Sequence, residues 1–245
     1  MIKLKDLLFE GVNDPGIFKA VFLAGGPGSG KTYITKGLFG IPDKLNISRS
    51  GMKMVNSDKE LKFLLKKFGF GTDLDKMPDE VFKDLTAQGK SGLRKFGKQL
   101  TAQRMKLYKK GRLGMIIDGT GHDFSKLAAM KKDLEKDGYD SYMIFVNTTL
   151  EVAQQRNQER DRILPPKLLK DSWTDVQKNL GKFQNLFKLN FLIVDNSKHL
   201  DEDEAQEKFD MLVKKGIDKF IKKPIKNAIA KKWVKKQQII KKQGA

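Results

Sequence analysis

The segment at residues 25–32, GGPGSGKT, constrains the fold of this chain more than any other feature. It fits the pattern G-x-x-x-x-G-K-[ST], in which glycines let consecutive backbone N–H groups turn inward on the α- and β-phosphates of a nucleotide. The apolar run at 20–24 predicts a buried strand before it, and residues 32–38 can open a helix whose amino terminus also favours an anion. A strand, a glycine-rich loop and a helix in this order predict a nucleoside triphosphate site.

Two side chains at the end of this segment predict which groups it holds. We expect the Lys31 ammonium to neutralise the β- and γ-phosphates and the Thr32 hydroxyl to bind Mg²⁺. ATP and Mg²⁺ are therefore the expected nucleotide and metal ion. The residues predicted to contact the nucleotide are Gly25, Gly26, Pro27, Gly28, Ser29, Gly30, Lys31 and Thr32.

Chain length and cysteine content narrow the class of protein. With 245 residues the chain can bury one sizeable core, and with no cysteine it has neither a disulfide framework nor a thiolate metal site. No apolar run approaches the length of a membrane span, and residues 1–10 lack the apolar core of a signal peptide. We therefore expect a soluble, cytoplasmic protein.

The formal net charge of +19 is unevenly distributed along the chain. Residues 211–245 hold 12 lysines and one aspartate, and residues 90–112 hold nine basic residues and no acidic one. Such stretches favour polyanions, so both are candidate contacts for nucleic acid or for the phosphates of nucleotides. For residues 211–245, a solvated helix face that only aids solubility explains the lysines equally well, because few aromatic residues lie among them.

Short apolar runs alternate with helical patterns, which is typical of a doubly wound α/β domain whose parallel sheet is covered on both faces. Such domains bind ligands at the carboxyl ends of their strands. We predict a P-loop NTPase three-layer sandwich at residues 1–200, with a mostly parallel sheet, and a basic, helical extension at residues 201–245. The five predicted strands are residues 19–24, 52–56, 113–117, 142–147 and 191–194.

Amphipathic spacing predicts helices between these strands. The longer helical region at 79–110 contains three glycines, which argue against one continuous helix. Further helices are predicted near 125–138, 149–161 and 201–223. The helix that begins after Ser57 is expected to bury one apolar face, formed by Leu61, Leu64, Leu65 and Phe68.

Asp58 follows the second predicted strand and is the candidate catalytic base. Phosphoryl transfer to an alcohol needs a group that orients the hydroxyl and accepts its proton, and an aspartate at this edge of the sheet would face the phosphates near Lys31. In the alternative, Ser57 or Asp58 only caps the following helix. The two roles are compatible.

Asp118 ends the third predicted strand, in the run MIIDGTG at 115–121. One acid delivered by an apolar strand beside a glycine-rich phosphate loop is typical of a Walker B position, which binds Mg²⁺ directly or through water. Gly119 and Gly121 would let a substrate approach the backbone. An ordinary turn at the end of a strand explains the same residues without a ligand.

Three closely spaced arginines form the third candidate cluster. They stand at the end of a predicted helix that follows the fourth strand, just before two prolines. Arginines in this arrangement can clamp the oxygens of a transferring phosphoryl group, which predicts a lid. In the alternative they form ion pairs with Glu159 and Asp161 on a surface helix. The three candidates are Arg156, Arg160 and Arg162.

Together these pieces resemble the P-loop kinases that group zeta toxins with polynucleotide kinases. The matching stretches are residues 25–32, 55–58, 116–121 and 138–165. The resemblance implies that Asp58 activates the acceptor hydroxyl and that one of the three lid arginines contacts the phosphates. The chain is also similar to uncharacterised kinase-like proteins of tailed phages, which implies the cytoplasm of a bacterial host.

The chain departs from both branches of this resemblance. Zeta toxins usually carry Glu where Asp118 stands. Polynucleotide kinases usually have an arginine soon after their catalytic aspartate, whereas the nearest cations here are Lys59 and Lys62. The resemblance therefore implies the phosphoryl donor and the fold and leaves the acceptor open.

The sequence predicts an ATP-dependent kinase that transfers the γ-phosphoryl group to a hydroxyl of a nucleic-acid end, a nucleotide or a nucleotide-sugar. The basic residues at 90–112 would border the acceptor site, which favours an acceptor that carries phosphate. The alternative is a nucleic-acid-binding P-loop NTPase whose only acceptor is water, with the basic tail as its binding surface. A kinase-like scaffold that binds nucleotide without transfer is a third reading.

Overall fold

A computed structural model of the chain describes most of its length. The described residues are 12, 14, 16–39, 47, 48, 51–70, 78, 80, 81, 83, 92–159, 163–197, 207 and 215–243. Within these ranges the chain forms a three-layer α/β fold. The predicted fold class is confirmed.

The central layer is a five-stranded sheet in the order β2-β3-β1-β4-β5, and every neighbouring pair is parallel. Because β1 lies in the middle, its carboxyl end stands between the ends of the two strands beside it. The strands are β1 (Lys19–Ala24), β2 (Lys53–Val55), β3 (Met115–Asp118), β4 (Asp140–Asn147) and β5 (Phe191–Asp195).

Helices connect these strands and cover both faces of the sheet. The described helices are α1 (Lys31–Phe39), α2 (Ser57–Lys67), α3 (Gly92–Lys110), α4 (Phe124–Lys136), α5 (Leu150–Gln158), α6 (Pro166–Phe187), α7 (Lys215–Lys222) and α8 (Ala228–Gln243). None of the helices in the described part of the chain is both long and apolar enough to span a membrane.

Alternate residues of the strands feed two separate cores, as expected for a sheet covered on both faces. On one face, Phe22 and Phe145 pack with residues of α3, α4, α6 and α8. On the other face, Leu23 and Ile144 pack with α1 and α7. The central strands are buried along their whole length for this reason.

Strand register brings the ends of the first three strands to one edge of the sheet. Leu23 of β1 pairs with Asp118 of β3, and Val55 of β2 pairs with Ile117. The turns that leave these strands therefore start side by side. This edge carries the glycine-rich loop and both candidate aspartates.

The carboxyl-terminal helices are integral to the packing. Phe220 of α7 and Ala230 of α8 are each 2% exposed or less, one in each core. Trp233 packs edge-on against Phe18, which precedes β1. The linker before α8 is held by Asp140, which accepts hydrogen bonds from the N–H groups of Lys226 and Asn227. Helix α8 therefore sits at the amino-terminal edge of the sheet.

The predicted strands agree with the observed ones to within two residues. Helix α6 was not predicted, and most of the helical residues predicted at 79–91 and 201–214 lie outside the described residues. Strand β4 begins two residues early because the Asp140 N–H donates to the Phe18 carbonyl. Phe68 lies beyond the end of α2 and is 57% exposed, so its place on the buried face was wrong. Helix α3 begins at Gly92 and continues through Gly97, and whether residues 79–110 form one helix is untested because 84–91 lie outside the described residues.

Gly97 is retained at a close crossing of α3 and α2, yet a methyl group fits there. A Cβ at this position would lie 3.5 Å from the Leu61 nitrogen, which is ordinary van der Waals contact. Gly97→Ala should therefore raise the free energy of unfolding by about 0.5–1 kcal/mol, because alanine has the higher helix propensity. Urea unfolding followed by circular dichroism measures the change.

Gly114→Ala is the matched control for this prediction. Its Cβ would lie 2.5 Å from the Gly16 carbonyl oxygen, a backbone atom that cannot move aside. This variant should be less stable than the parent. A loss of stability in Gly97→Ala as well would show that the α2–α3 crossing is tighter than the backbone geometry indicates.

Candidate active site

The glycine-rich loop links the buried end of β1 to the first turn of α1. Lys31 folds back over this loop, and its Nζ donates to the carbonyl oxygens of Gly25 at 2.5 Å and Gly26 at 3.0 Å. Thr32 is exposed in the first turn of α1. The ammonium and the hydroxyl are thus placed at the amino terminus of a helix, where the helix dipole and backbone N–H groups favour phosphate.

The loop glycines are required by the protein's own packing as well as by phosphate binding. A Cβ at Gly25 would lie 2.7 Å from the Val146 carbonyl oxygen of β4. A Cβ at Gly28 would overlap the Ala153 carbonyl of α5, and Gly28 has a φ of +76°, which also favours glycine. The loop is therefore seated directly against β4 and α5.

Helix α6 covers the loop from another side. The Trp173 ring lies against Gly26, where a Cβ would be 3.3 Å from its Cδ1 atom. The indole nitrogen of Trp173 donates to the Thr148 carbonyl oxygen at 2.9 Å, which fixes the ring in place. Trp173 is consequently an internal probe of the loop's conformation.

A chain of hydrogen bonds joins the two candidate aspartates. The Asn56 Nδ2 donates to Asp118 Oδ2 at 2.7 Å, and the Asn56 Oδ1 accepts from the Asp58 N–H at 2.7 Å. The second of these bonds caps α2, so Asn56 is the capping residue and neither Ser57 nor Asp58 is. One side chain thus sets the relative position of both carboxylates.

Arg94 of α3 extends this chain of contacts. Its Nη1 donates to Asp58 Oδ1 at 2.7 Å, across 36 positions of sequence. The Asp58 side chain remains 46% exposed beside this partner. The carboxylate is therefore oriented by an arginine and still reachable from solvent.

Burial dominates the electrostatics of Asp118. It raises the pKa of this carboxyl from 3.8 to about 6, against the opposing effect of the Lys31 ammonium. The nearby Asp58 charge raises the pKa further, while the Asn56 hydrogen bond lowers it. A carboxylate destabilised in this way gains from any cation that reaches it.

The turn after β3 is bonded to the glycine-rich loop. The Gly25 N–H donates to the Thr120 carbonyl oxygen at 3.0 Å, and the Gly119 N–H donates to that of Leu23. Asn179 of α6, itself buried, donates to the carbonyl oxygen of Gly121. Asp118 is therefore held at a set position relative to the loop.

Part of the basic stretch at 90–112 faces this site, as expected. Arg94 contacts Asp58, and Lys98 lies one turn further along α3. The pKa of Lys98 is lowered, chiefly by burial and then by the positive charges of Arg94 and Lys126, while Asp58 opposes the shift. Cations from α3 and α4 thus meet beside Asp58.

Two other cations of that stretch are neutralised by carboxylates within the protein. Arg104 pairs with the buried Glu60 of α2. Lys109 pairs with Asp133 and Asp137 at 2.7 Å each, and the carboxylates raise the pKa of its ammonium. These pairs fasten α3 to its neighbours, so this part of the stretch is structural.

The candidate lid is described only in part. Arg156 of α5 donates to the Asn196 backbone carbonyl at 3.0 Å, and Asn196 Nδ2 in turn donates to the Ser29 carbonyl of the glycine-rich loop at 2.8 Å. Burial lowers the pKa of Arg156. Arg160 and Arg162 lie outside the described residues. Arg156 is thus tied to the loop through Asn196, and the phosphate-clamping role of all three arginines stays a prediction.

The predicted metal ligands suit an ion that also binds nucleotide phosphates and water better than an ion held by protein side chains alone. Thr32 and Asp118 offer a hydroxyl and a carboxylate, both oxygen ligands that Mg²⁺ prefers. No group of three or more acidic, histidine or cysteine side chains in the described ranges could hold a metal ion by itself. These residues suit Mg²⁺ that also binds nucleotide phosphates and water, which is its usual mode in such sites.

Three residues of the site were not predicted from the sequence: Asn56, Arg94 and Asn196. The caps considered from the sequence were Ser57 and Asp58, yet an asparagine directly before a predicted helix is a typical cap, and that local signal could have identified half of Asn56's role. Arg94 was noted only as part of a basic stretch, and nothing local in the sequence links it to Asp58. Asn196 follows the last strand, where its proximity to the loop depends on the strand order of the sheet.

Comparisons with known proteins bear on the fold only. No family model and no curated protein matches the sequence. A gluconokinase from Sinorhizobium meliloti 1021 superposes with a TM-score of 0.47 and 11% identity, over 84% of this chain and 94% of its own. A shikimate kinase from Bacteroides thetaiotaomicron gives 0.45 and 14%, over 79% and 97%.

A third solved structure, from the PezAT chromosomal toxin-antitoxin system of Streptococcus pneumoniae, gives a TM-score of 0.47 and 13% identity, over 84% of this chain and 87% of that chain. Because these similarities are remote, they say nothing about the activity or the substrate, which have to be inferred from the geometry of the site. No comparison supports the predicted similarity to tailed-phage proteins.

The raised pKa of Asp118 predicts a pH-dependent cost to stability. The folded protein keeps the proton up to about pH 6, whereas the unfolded chain releases it near 3.8, so stability falls as the pH rises through this window. Asp118→Asn, which still offers an oxygen to Asn56, should be more stable than the parent by about 1–3 kcal/mol above pH 6. The gain should vanish below pH 4.

Urea unfolding at pH 4, 6 and 8, with a metal chelator present, measures this gain. Asp175→Asn on α6 is the control, because its side chain is 54% exposed. It should change stability little at any of the three pH values. A gain in Asp118→Asn that is the same at every pH would contradict the link to this carboxyl.

Proposed function

We propose that the protein is an ATP-dependent kinase that transfers the γ-phosphoryl group to a hydroxyl. The observation that carries the proposal is the Asp58 carboxylate, held by Arg94 and joined through Asn56 to Asp118 at the edge of the sheet that bears the glycine-rich loop. A phosphate loop alone supports nucleotide binding. An oriented, accessible carboxylate beside it supports transfer to an alcohol.

The loop and Lys31 would bind the triphosphate. The backbone N–H groups of the loop and the start of α1 favour its negative charge, and the Lys31 ammonium would exchange its loop carbonyls for phosphate oxygens. Thr32 and Asp118 would hold Mg²⁺, which supplies charge neutralisation at the phosphates when bound. Cation binding would also relieve the cost of ionising the buried Asp118.

Asp58 would act as the base. The acceptor oxygen attacks the γ-phosphorus, the bond from that phosphorus to the β–γ bridging oxygen breaks, ADP leaves and the hydroxyl proton passes to the Asp58 carboxylate. Arg94 would hold the carboxylate in position throughout by donating from Nη1 to Oδ1. The lid arginines 156, 160 and 162 would neutralise charge on the transferring group.

The charge around Asp58 bears on the acceptor. Arg94 and Lys98 bring positive charge beside Asp58, and Lys126 lies near Lys98. They favour an acceptor that carries phosphate, so a nucleic-acid end, a nucleotide and a nucleotide-sugar are the proposed classes. A neutral sugar or alcohol would bring no negative charge to this positive side of the site.

A second candidate function is hydrolysis of the nucleotide by a nucleic-acid-binding NTPase. The observation in its favour is helix α8, which carries six lysines and no acidic residue. In this case water takes the place of the acceptor, and Asp58 serves mainly to anchor Arg94. Nucleic acid would then stimulate the release of free phosphate.

One labelling experiment separates the two candidates. The protein is incubated with γ-labelled ATP, Mg²⁺ and, in turn, 5′-hydroxyl DNA, 5′-hydroxyl RNA, nucleosides, nucleotides and UDP-sugars. The kinase proposal expects label on at least one phosphate-bearing member of the panel. Label that appears only as free phosphate with every member would overturn it in favour of the NTPase.

Asp58→Asn tests the base once an acceptor is known. The amide keeps the shape and an oxygen for Arg94 but cannot accept the proton, so kcat should fall by about 10²–10⁴. ATP binding should change little, because asparagine keeps the size of the aspartate side chain and the loop and Lys31 are unchanged. Binding is read from Trp173 fluorescence in a Trp233→Phe background, which leaves one of the two tryptophans.

Two comparison variants complete this test. Lys31→Ala should lose both ATP binding and transfer, because it removes the loop's own cation. Asp175→Asn, an exposed carboxylate on α6, should retain both. An Asp58→Asn protein with full turnover would remove Asp58 from the mechanism.

A further inference from the structure

We infer that the outward face of α8 is a nucleic-acid-binding surface, separate from the candidate active site. This surface, the lysine face, consists of Lys231, Lys232, Lys235, Lys236 and Lys242. At about 100° per residue these five positions fall on one side of the helix, and all five side chains are exposed. The inference concerns binding and does not require the transfer reaction.

The opposite face of α8 is anchored in the protein. Ala230 is fully buried against Gly138, and Trp233 and Val234 pack on the core that contains Phe18. Asn227 caps the helix start and donates through Nδ2 to the Glu135 carbonyl at 2.7 Å. The helix is therefore held in one orientation, which fixes the direction of its lysine face.

The lysine face carries positive charge that no carboxylate of the described residues pairs with. Helix α8 contains no acidic residue, and no carboxylate among the described residues forms an ion pair with its lysines. From residue 231 to residue 242 the helix rises about 16 Å. A nucleic-acid duplex presents about five phosphates on one strand over that length. The number and spacing of the lysines thus match a phosphate backbone.

A membrane surface fits this helix less well than nucleic acid does. A helix that lies on a bilayer inserts an apolar face into the lipid, but the apolar face of α8 is already occupied by the core. Three isoleucines of α8 are also exposed: Ile229 (55%), Ile239 (47%) and Ile240 (50%). The five lysines outnumber them, so the available face is suited mainly to a hydrated polyanion.

The position of the lysine face gives it a role distinct from acceptor recognition. Helix α8 packs at the amino-terminal edge of the sheet, beside Phe18, whereas Asp58 and Asp118 lie at the carboxyl-terminal edge. A duplex bound to α8 would therefore lie at the opposite end of the strands from the glycine-rich loop. Binding there should be sequence-independent and should not need ATP.

Fluorescence anisotropy of a labelled 20-base-pair DNA duplex, without ATP and at several NaCl concentrations between 50 and 200 mM, tests the inference on the full chain. If all five lysines contact phosphates, the logarithm of the association constant should fall with the logarithm of salt concentration with a slope of about −4 to −5. A single-stranded probe should give a slope of about −3 to −4.

The test variant replaces four lysines at once: Lys231→Gln, Lys232→Gln, Lys235→Gln and Lys236→Gln. Glutamine keeps the helix propensity, so thermal unfolding should be unchanged. Each lost contact should reduce the slope by about one, and the affinity at 100 mM NaCl should fall at least about tenfold. ATP hydrolysis without nucleic acid should be unaffected.

A control of equal charge loss uses exposed lysines of α2 and α6. Lys66→Gln, Lys67→Gln, Lys167→Gln and Lys178→Gln together remove the same four charges elsewhere on the protein. If both fourfold variants lose affinity equally, or if neither does, the lysine face is not the binding surface. Sedimentation of the parent with vesicles containing phosphatidylserine, in the absence of measurable DNA binding, would overturn the inference in favour of a lipid surface.

Discussion

The arrangement of the site depends on the bridge that Asn56 makes between the ends of β2 and β3. Its amide donates to Asp118 and accepts from the backbone of Asp58, so a single side chain caps α2 and orients the buried acid. Adjacent parallel strands bring these residues together, and the cap sets the direction in which α2 leaves the sheet. Helices α2 and α3 cross at Gly97, and Arg94 of α3 reaches Asp58 of α2 three residues before that crossing.

The glycine-rich loop is also closely packed against its neighbours. Its glycines admit phosphate, and they also admit the Val146 carbonyl, the Ala153 carbonyl and the Trp173 ring. A side chain at these positions would collide with the protein before any nucleotide entered. The loop is therefore part of the packed structure, bonded to the turn after β3 and to Asn196 after β5. A shift in any of these contacts would change the positions of the loop N–H groups that are expected to bind phosphate.

Local signals predicted most of the fold and only part of the site. Strands such as β1 and β4 were predictable because continuous apolar runs are needed where both faces of a sheet are covered. The loop and both aspartates followed from their places after strands. Arg94 could not be paired with Asp58, since 36 residues separate them and several other basic residues on α3 were equal candidates. Phe68 was misplaced because spacing alone does not show where a helix ends.

The sequence by itself determined that a phosphate loop follows a buried strand, that acids end the next two strands of the site, and that the tail is basic. Each of these is a local property of composition and spacing. Tertiary structure alone decided which cations serve the site and which are neutralised by Glu60, Asp133 and Asp137. It also decided that α8 points its lysines away from the glycine-rich loop. Charge acts through distance in space, and strand order and helix crossings set that distance.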